Sequence, residues 1–300
     1  MIVTNHGDTG AGGSLAPAKA NARNLTRRIA SACVLAPLAL GAAYVGGWAF
    51  TAICLIAASA VLWEWASLRG HPDPAVLACG LPVLVFAAVL AGQGEGPLAI
   101  AATVVGAILA AAAPLFPRRS MSALSSAWGA GGVVYAGIVL LCPVFLRNDP
   151  QYGLQALLFL FAIVWATDIL AYFVGRAIGG PLLWPRVSPH KTWAGAVGGL
   201  LGGVAAGIAV AYASGGPRAA VAGVLALILS IVAQAGDLFE SAVKRRFGVK
   251  DASNLIPGHG GMMDRLDGFL VAALAAVLIG VLRQGLTQGL AAPARGLLAW

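Results

Sequence analysis

Charge is what this 300-residue chain has least of: Asp, Glu, Lys and Arg make up 10% of it, while apolar residues make up 59%. Soluble domains carry about 25% charged and 45–50% apolar residues, so a water-surrounded globule is excluded. Alternation of apolar and polar residues is also missing, and with it the signature of a membrane β-barrel. Cysteine is scarce. Cys33, Cys54, Cys79 and Cys142 stand singly inside apolar runs, with no Cys-x-x-Cys spacing, which argues against a zinc site and against a disulfide framework. They read as small buried hydrophobes. Residues 1–24 contain no apolar run, and the run that follows leads into more of the same, so a cleavable signal peptide is not expected.

What is present in quantity is continuous apolar sequence, in stretches of the ~17–25 residues that cross a bilayer as helices. Only helices or closed barrels satisfy the backbone in hydrocarbon. The expected fold class is therefore all-α: a polytopic membrane helical bundle of about nine transmembrane helices with no separate soluble domain. The spans fall near 29–46, 48–66, 75–91, 97–116, 123–146, 153–174, 193–214, 219–236 and 266–283. Gly195, Gly199 and Gly203 recur at helical spacing, a signal for close helix packing. This divides the chain into a flexible cytoplasmic tail (1–24), N-terminal transmembrane helices (25–150), a C-terminal catalytic transmembrane region (151–285) and a C-terminal tail (286–300). The C-terminal region carries polar loops at 175–192 and 237–265.

The net charge of +8 points to anionic lipid rather than nucleic acid in such a chain. Across the expected spans, fifteen of the nineteen Lys and Arg residues fall on one side. Basic residues are retained on the cytoplasmic face, so the N-terminus and both polar loops are expected there, in a bacterial-type inner membrane.

Residues 237–267 hold ten charged side chains. Continued as a helix, Asp237, Glu240 and Ser241 share a face, with Lys244 and Arg245 one turn on. Lys250 and Asp251 follow. Gly258, His259, Gly260 and Gly261 form a turn that brings backbone amides to an anion, and Asp264, Arg265 and Asp267 open the last span, where a helix N-terminus favours anions. Acids at two helix ends around such a turn suit a metal-bound polyphosphate, since magnesium takes oxygen from one or two carboxylates plus phosphate. Upstream, Asp168 lies inside an apolar span, where an ionisable group is costly, with Tyr172 and Arg176 at successive turns. Ser188, Lys191 and Thr192 precede the next helix and are candidates for phosphate binding. Glu64 lies near the cytoplasmic end of its span, where snorkelling or a structural contact outranks a functional role. Trp48, Trp63, Trp65, Trp128 and Trp300 read as interfacial anchors.

The pattern Ser241, Lys244-Arg245, Lys250-Asp251, Pro257-Gly258-His259-Gly260-Gly261 and Asp264-Arg265-Leu266-Asp267 resembles that of the phosphatidate cytidylyltransferases, or CDP-diacylglycerol synthases. So does the upstream Asp168, Ala171-Tyr172, Gly175-Arg176 element. A Ser-Pro-Lys-Lys-Thr-x-Glu-Gly element is present with His190 and Ala194 in place of a lysine and the glutamate, so no carboxylate role carries over to position 194. The resemblance covers roughly residues 25–285. It implies a nucleotidyltransferase that joins CTP and phosphatidic acid into CDP-diacylglycerol and releases pyrophosphate, in phospholipid biosynthesis. It also implies magnesium, with a second cation for which potassium is the candidate.

On this reading Asp237, Asp264 and Asp267 are the metal ligands. Lys244, Arg245, Lys250, Asp251, His259 and Arg265 complete the catalytic set. Asp168, Tyr172, Arg176, Ser188, Lys191, Thr192, Ser241, Gly260 and Gly261 bind substrate. Expected partners are CTP, phosphatidic acid and membrane lipids, with no nucleic acid; a homodimer is an open alternative to a monomer. Other readings are a different CTP-dependent lipid cytidylyltransferase, a lipid kinase, or a membrane transporter with Glu64 and Asp168 as ion sites.

Overall fold

The computed structural model describes residue 31 and residues 33–112, 123–215, 218–256 and 260–299. The 1–24 tail, Arg27 and Arg28, the Arg118-Arg119 pair, Pro257-Gly258-His259 and Trp300 lie outside the described residues. The described helices are α1 (Cys33–Val45), α2 (Gly47–Ser67), α3 (Pro74–Gly92), α4 (Gly96–Ala112), α5 (Ala123–Arg147), α6 (Gly153–Ile178), α7 (Trp193–Ala213), α8 (Ala219–Arg246), α9 (Met263–Gln284), α10 (Leu286–Ala291) and α11 (Pro293–Leu298). A hairpin of β1 (Leu182–Trp184) and β2 (Ser188–Thr192) lies between α6 and α7.

Each expected span falls on one of the helices α1 to α9. Seven of these (α2, α3, α5, α6, α7, α8 and α9) are long and apolar enough to cross a membrane, whereas α1 and α4 are shorter apolar helices. Among the described residues seven spans are thus of full length, and α1 and α4 both border residues outside the described set. The chain is an integral membrane protein, and large apolar side chains such as Phe86, Ile108, Leu201 and Leu282 stand exposed on its outer surface.

Local signals set the ends of several helices. Asp73 accepts from the Ala75 N–H at 3.0 Å with Pro74 at the first helical position of α3, which suits a residue without an N–H. Asp149 accepts from the N–H groups of Gln151 and Tyr152 at 2.9 Å ahead of α6, and Thr192 accepts from Gly195 at 3.1 Å ahead of α7. At the other end of the chain's hairpins, Arg147 donates to Ala43 and Tyr44 carbonyls and Asn148 to that of Ala91. All three carbonyls lie in the last turns of α1 and α3, where the helix's own donors run out.

The helices form two groups, α2 to α5 and α6 to α9, joined where α5 meets α9. Helix α6 packs most extensively on α7. The reason is the glycine row: a methyl group added to Gly195 would lie 2.7 Å from the Ala171 carbonyl oxygen, and one on Gly199 2.8 Å from that of Thr167. Lipid supplies no hydrophobic force between helices, so such backbone approach carries the packing.

Three boundaries differ from expectation. Helix α8 continues ten residues past 236 to Arg246, so the second polar loop is shorter than 237–265. The 175–192 stretch is the end of α6 followed by an antiparallel hairpin, with Leu182 opposite Thr192 and Trp184 opposite Ser188. Residues 286–298 are not a tail: α10 and α11 pack on α9, burying Leu297 and Leu298. Gly280 and Gly296 let those backbones meet, and Arg283 donates to the carbonyls of Gly296 and Ala299.

Candidate functional site

Four pieces of chain meet at one end of the bundle: the second half of α6, strand β2, the polar end of α8 and the start of α9. Glycine governs the closest of these approaches. A methyl group on Gly236 would lie 2.8 Å from the Asp267 carbonyl oxygen, and one on Gly268 would lie 3.1 Å from that of Ala233. These glycines directly precede Asp237 and directly follow Asp267, so the α8–α9 contact sets the two acids side by side.

Asp237, Asp267 and Asp168 form the first set. The carboxylates of Asp237 and Asp168 both act electrostatically on Asp267, as does the Lys191 ammonium. Asp168 in turn feels Asp237, Lys191 and Arg265. Lys191 Nζ, delivered by β2, is paired with Asp237 Oδ2, and Ser241 Oγ donates to Asp237 Oδ1 at 3.5 Å. Asp267 Oδ1 accepts from the Gly268 N–H at 2.7 Å. Asp168 makes no ion pair among the described residues. Asp168 and Arg265 are exposed and Asp237, Asp267 and Lys191 half-buried, so this set faces the outside.

Lys244 organises the second set, which is buried. Its ammonium lies 2.6 Å from Glu240 Oε2, one helical turn away, and 2.6 Å from Asp264 Oδ1. Asp264 also accepts from the Ala252 N–H, at 3.0 Å to Oδ2, and from the Gly261 N–H at 2.7 Å. Both of its oxygens are therefore engaged by the protein itself. Glu240 is fully buried, and its Oε1 has no hydrogen-bond partner among the described residues.

The start of α9 holds an anion, and the anion is Glu64. This carboxylate is fully buried and comes from α2. It accepts from the Met262 N–H at 2.8 Å, the Met263 N–H at 2.7 Å and Ser253 Oγ at 2.6 Å. The helix terminus read as a phosphate cradle is filled from within.

The remaining candidates are placed as follows. Arg245 reaches the carbonyls of Val187 at 3.4 Å and Val249 at 3.3 Å, tying α8 to the hairpin. Lys250 and Asp251 are exposed. Arg176 donates to the Tyr172 hydroxyl at 2.8 Å on the exposed face of α6. Thr192 spends its hydroxyl on capping α7, and Ser188 sits on β2 opposite Trp184. Gly260 has φ +80°, a conformation open to glycine, and its carbonyl accepts from the Ile256 N–H at 2.8 Å. Of the expected interfacial tryptophans, Trp48 and Trp63 are exposed, but Trp65 is buried. It stacks on Trp128 at 4.2 Å between centroids, and Trp128 meets Phe247 at the end of α8.

The three expected metal ligands are thus divided: Asp237 and Asp267 lie with Asp168, whereas Asp264 lies with Lys244. Among the described residues no three His, Cys, Asp or Glu side chains converge closely enough to hold a metal ion by themselves. Asp168, Asp237 and Asp267 supply only oxygen, the donor that suits a hard divalent cation.

A family model described as "Cytidylyltransferase family" matches residues 26–282. The chain belongs to this family. The phosphatidate cytidylyltransferase of Brucella abortus (biovar 1, strain 9-941) is 42% identical over 260 residues, covering 86% of this chain and 94% of the relative. That of Pseudomonas aeruginosa is 36% identical over 259 residues, covering 83% and 94%. That of Bacillus subtilis is 40% identical over 138 residues, covering 46% and 51%. The matched stretch contains every acid and base of both sets. Two members of the site had no place among the assigned catalytic, substrate or metal residues. Glu240 was legible as sharing a face with Asp237 and Ser241; Glu64 was read as an acid near the end of its span, suited to snorkelling or a structural contact, and a structural contact is what it makes.

Proposed function

We propose that this chain is a phosphatidate cytidylyltransferase, which forms CDP-diacylglycerol and pyrophosphate from CTP and phosphatidic acid. The observation that carries this reading is the family match across residues 26–282, with relatives named phosphatidate cytidylyltransferase, over a site built of carboxylates, cations, hydroxyls and backbone amides. A phosphate oxygen of the lipid attacks the α-phosphorus of CTP, the bond to the β-phosphate bridging oxygen breaks, and pyrophosphate leaves. The attacking oxygen is already ionised near neutral pH, so neither a protein nucleophile nor a strong base is required. Two anions have to be brought together, and charge neutralisation and positioning supply the catalysis.

Lys191 and Arg265 bring positive charge to the rim of the Asp168, Asp237 and Asp267 set, where phosphate groups approach. Lys250 and Arg245 extend that charge outward. Asp237 and Asp267, with Asp168 beside them, are the residues that would hold magnesium; one or two carboxylates with substrate phosphates suffice for this ion. When bound, magnesium neutralises phosphate charge. Asp264, whose oxygens are taken by Lys244, Ala252 and Gly261, instead fixes the loop before α9. The site faces the cytoplasm, in keeping with the basic bias of that side, and CTP is available there.

The test is incorporation of labelled CTP into chloroform-soluble product by purified protein with magnesium, with and without phosphatidic acid. Label placed in cytidine enters the lipid under this reading. Transfer of a γ-phosphate label instead would establish a lipid kinase, and no lipid product at all would overturn the reading.

A further inference from the structure

The described residues 252–256 and 260–262 have one regular pairing, the isolated bridge from Ile256 to Gly260. The loop they belong to joins the polar end of α8 to the start of α9 and is continuous with Lys250 and Asp251. Two carboxylates hold it. Asp264 takes the N–H groups of Ala252 and Gly261, and Glu64 takes Ser253 Oγ and the N–H groups of Met262 and Met263. Asp264 belongs to the site. Glu64 comes from α2, in the other half of the bundle, 189 to 199 residues away in sequence.

Three features make this contact more than incidental packing. No cation is paired with Glu64 among the described residues, so its charge rests on two backbone amides, a hydroxyl and the positive end of α9. Met262 precedes α9 without a side-chain cap of its own, so Glu64 performs that task from a distance. Gly261 is fitted to it, because a methyl group there would collide with the Glu64 carboxylate. A second contact runs parallel to the first: Trp65, next along α2, stacks on Trp128, which meets Phe247 at the end of α8.

We infer that Glu64 is a positioning residue for the transfer reaction: by holding Ser253, Met262 and Met263 it sets the height at which Lys250 and Asp251, at the near end of the same loop, meet the soluble nucleotide. It acts on the nucleotide side, because Lys250 and Asp251 are exposed in the polar stretch that follows α8, whereas phosphatidic acid is anchored by its acyl chains. This role rests on the cytidylyltransferase reading for its kinetic consequence, though not for its structural one. In Glu64→Gln one acceptor oxygen becomes an amide that faces N–H donors, so the suspension fails while side-chain size is kept.

The experiment uses the full-length protein in detergent and compares wild type, Glu64→Gln, Glu64→Asp and Gly261→Ala by hydrogen exchange and by kinetics. Exchange of the Met262 and Met263 amides is expected to rise about 10-fold in Glu64→Gln through local opening, with α3 amides unchanged. For the same variant kcat/KM for CTP is expected to fall on the order of 100-fold, as displaced catalytic groups do. KM for phosphatidic acid should stay within about 2-fold. Gly261→Ala should reproduce this split, and Glu64→Asp should restore part of the exchange protection. Unchanged exchange in Glu64→Gln, or equal losses toward both substrates, would overturn the inference. Should Glu64→Gln fail to fold, Ser253→Ala removes one of the three bonds, and unaltered exchange there is equally fatal. A wild type that makes no CDP-lipid sinks the functional reading alone, since the exchange comparison still decides whether Glu64 holds the segment.

Discussion

Lys191 and Lys244 divide the carboxylates of the site between them, and the two lysines work under different conditions. Lys191 and Asp237 are 31% and 28% exposed, whereas Asp264 is 4% exposed and Lys244 11%. An ion pair open to water contributes little to stability; breaking a buried one leaves a charge without its partner, at about 3–5 kcal/mol. The two acids should therefore respond oppositely to substitution. Asp264→Ala is expected to lower the thermal unfolding midpoint in detergent clearly, because the amides of Ala252 and Gly261 lose their acceptor and Lys244 is left with Glu240 alone. Asp237→Asn should leave that midpoint nearly unchanged and reduce CDP-lipid formation by about 100-fold or more, the scale on which an electrostatic stabiliser counts. Measuring both variants by melting curve and turnover decides the matter; equal melting losses would refute the division. Spacing in the sequence shows that these acids are near helix ends. It cannot show which lysine each one meets, because Lys244 is equally a neighbour of Glu240 along α8, and the choice of Asp264 is made by the fold.

At the level of helices, the site depends on how closely α8 and α9 approach. Gly236 has no room for a side chain against Asp267 and Val271, while a methyl group on Gly223, on the same helix, would meet Ile208 at an ordinary 3.4 Å and Val204 at 4.0 Å. Gly236→Val should push α8 from α9 at the point where Asp237 and Asp267 lie together, costing about 1–3 kcal/mol of overpacking and nearly all activity. Gly223→Ala should change neither melting nor turnover, and the paired measurement checks that glycine matters here by position. The helices themselves were legible, because an apolar run of membrane length has one way to satisfy its backbone, and the Gly195, Gly199, Gly203 row announced a close helix contact, though not that α6 is the partner. The hairpin was not legible. Leu182 to Trp184 and Ser188 to Thr192 are too short to show a period of two, and Pro189 argues against a strand. The end of α8 was misplaced for a related reason: hydropathy marks where hydrocarbon ends, at Asp237, but the helix continues in polar surroundings to Arg246.

For the whole molecule, the arrangement joins a water-soluble substrate to one dissolved in the bilayer, which requires the site to lie at a membrane surface. The fold suits that requirement: the acids stand at the C-terminal part of α8 and the N-terminal part of α9, where the apolar spans give way to polar sequence, and the half of α6 bearing Asp168 leads out to the exposed hairpin. The opposite ends of the helices carry few charges, and several of these are engaged structurally, Arg147 on α1 and Arg283 on α11. The basic excess on the side of the site is the signal that retains loops in the cytoplasm. Orientation follows as a prediction that is independent of catalysis. In a cysteine-free background, Arg186→Cys, in the turn of the β1–β2 hairpin, should resist a membrane-impermeant maleimide in intact spheroplasts and react only after the membrane is opened. Arg218→Cys, exposed at the start of α8, should react without opening. The span between them is α7 alone, so the two labels test a single crossing. The reverse pattern would put the site on the side without CTP and remove the basis for a CTP-dependent reaction.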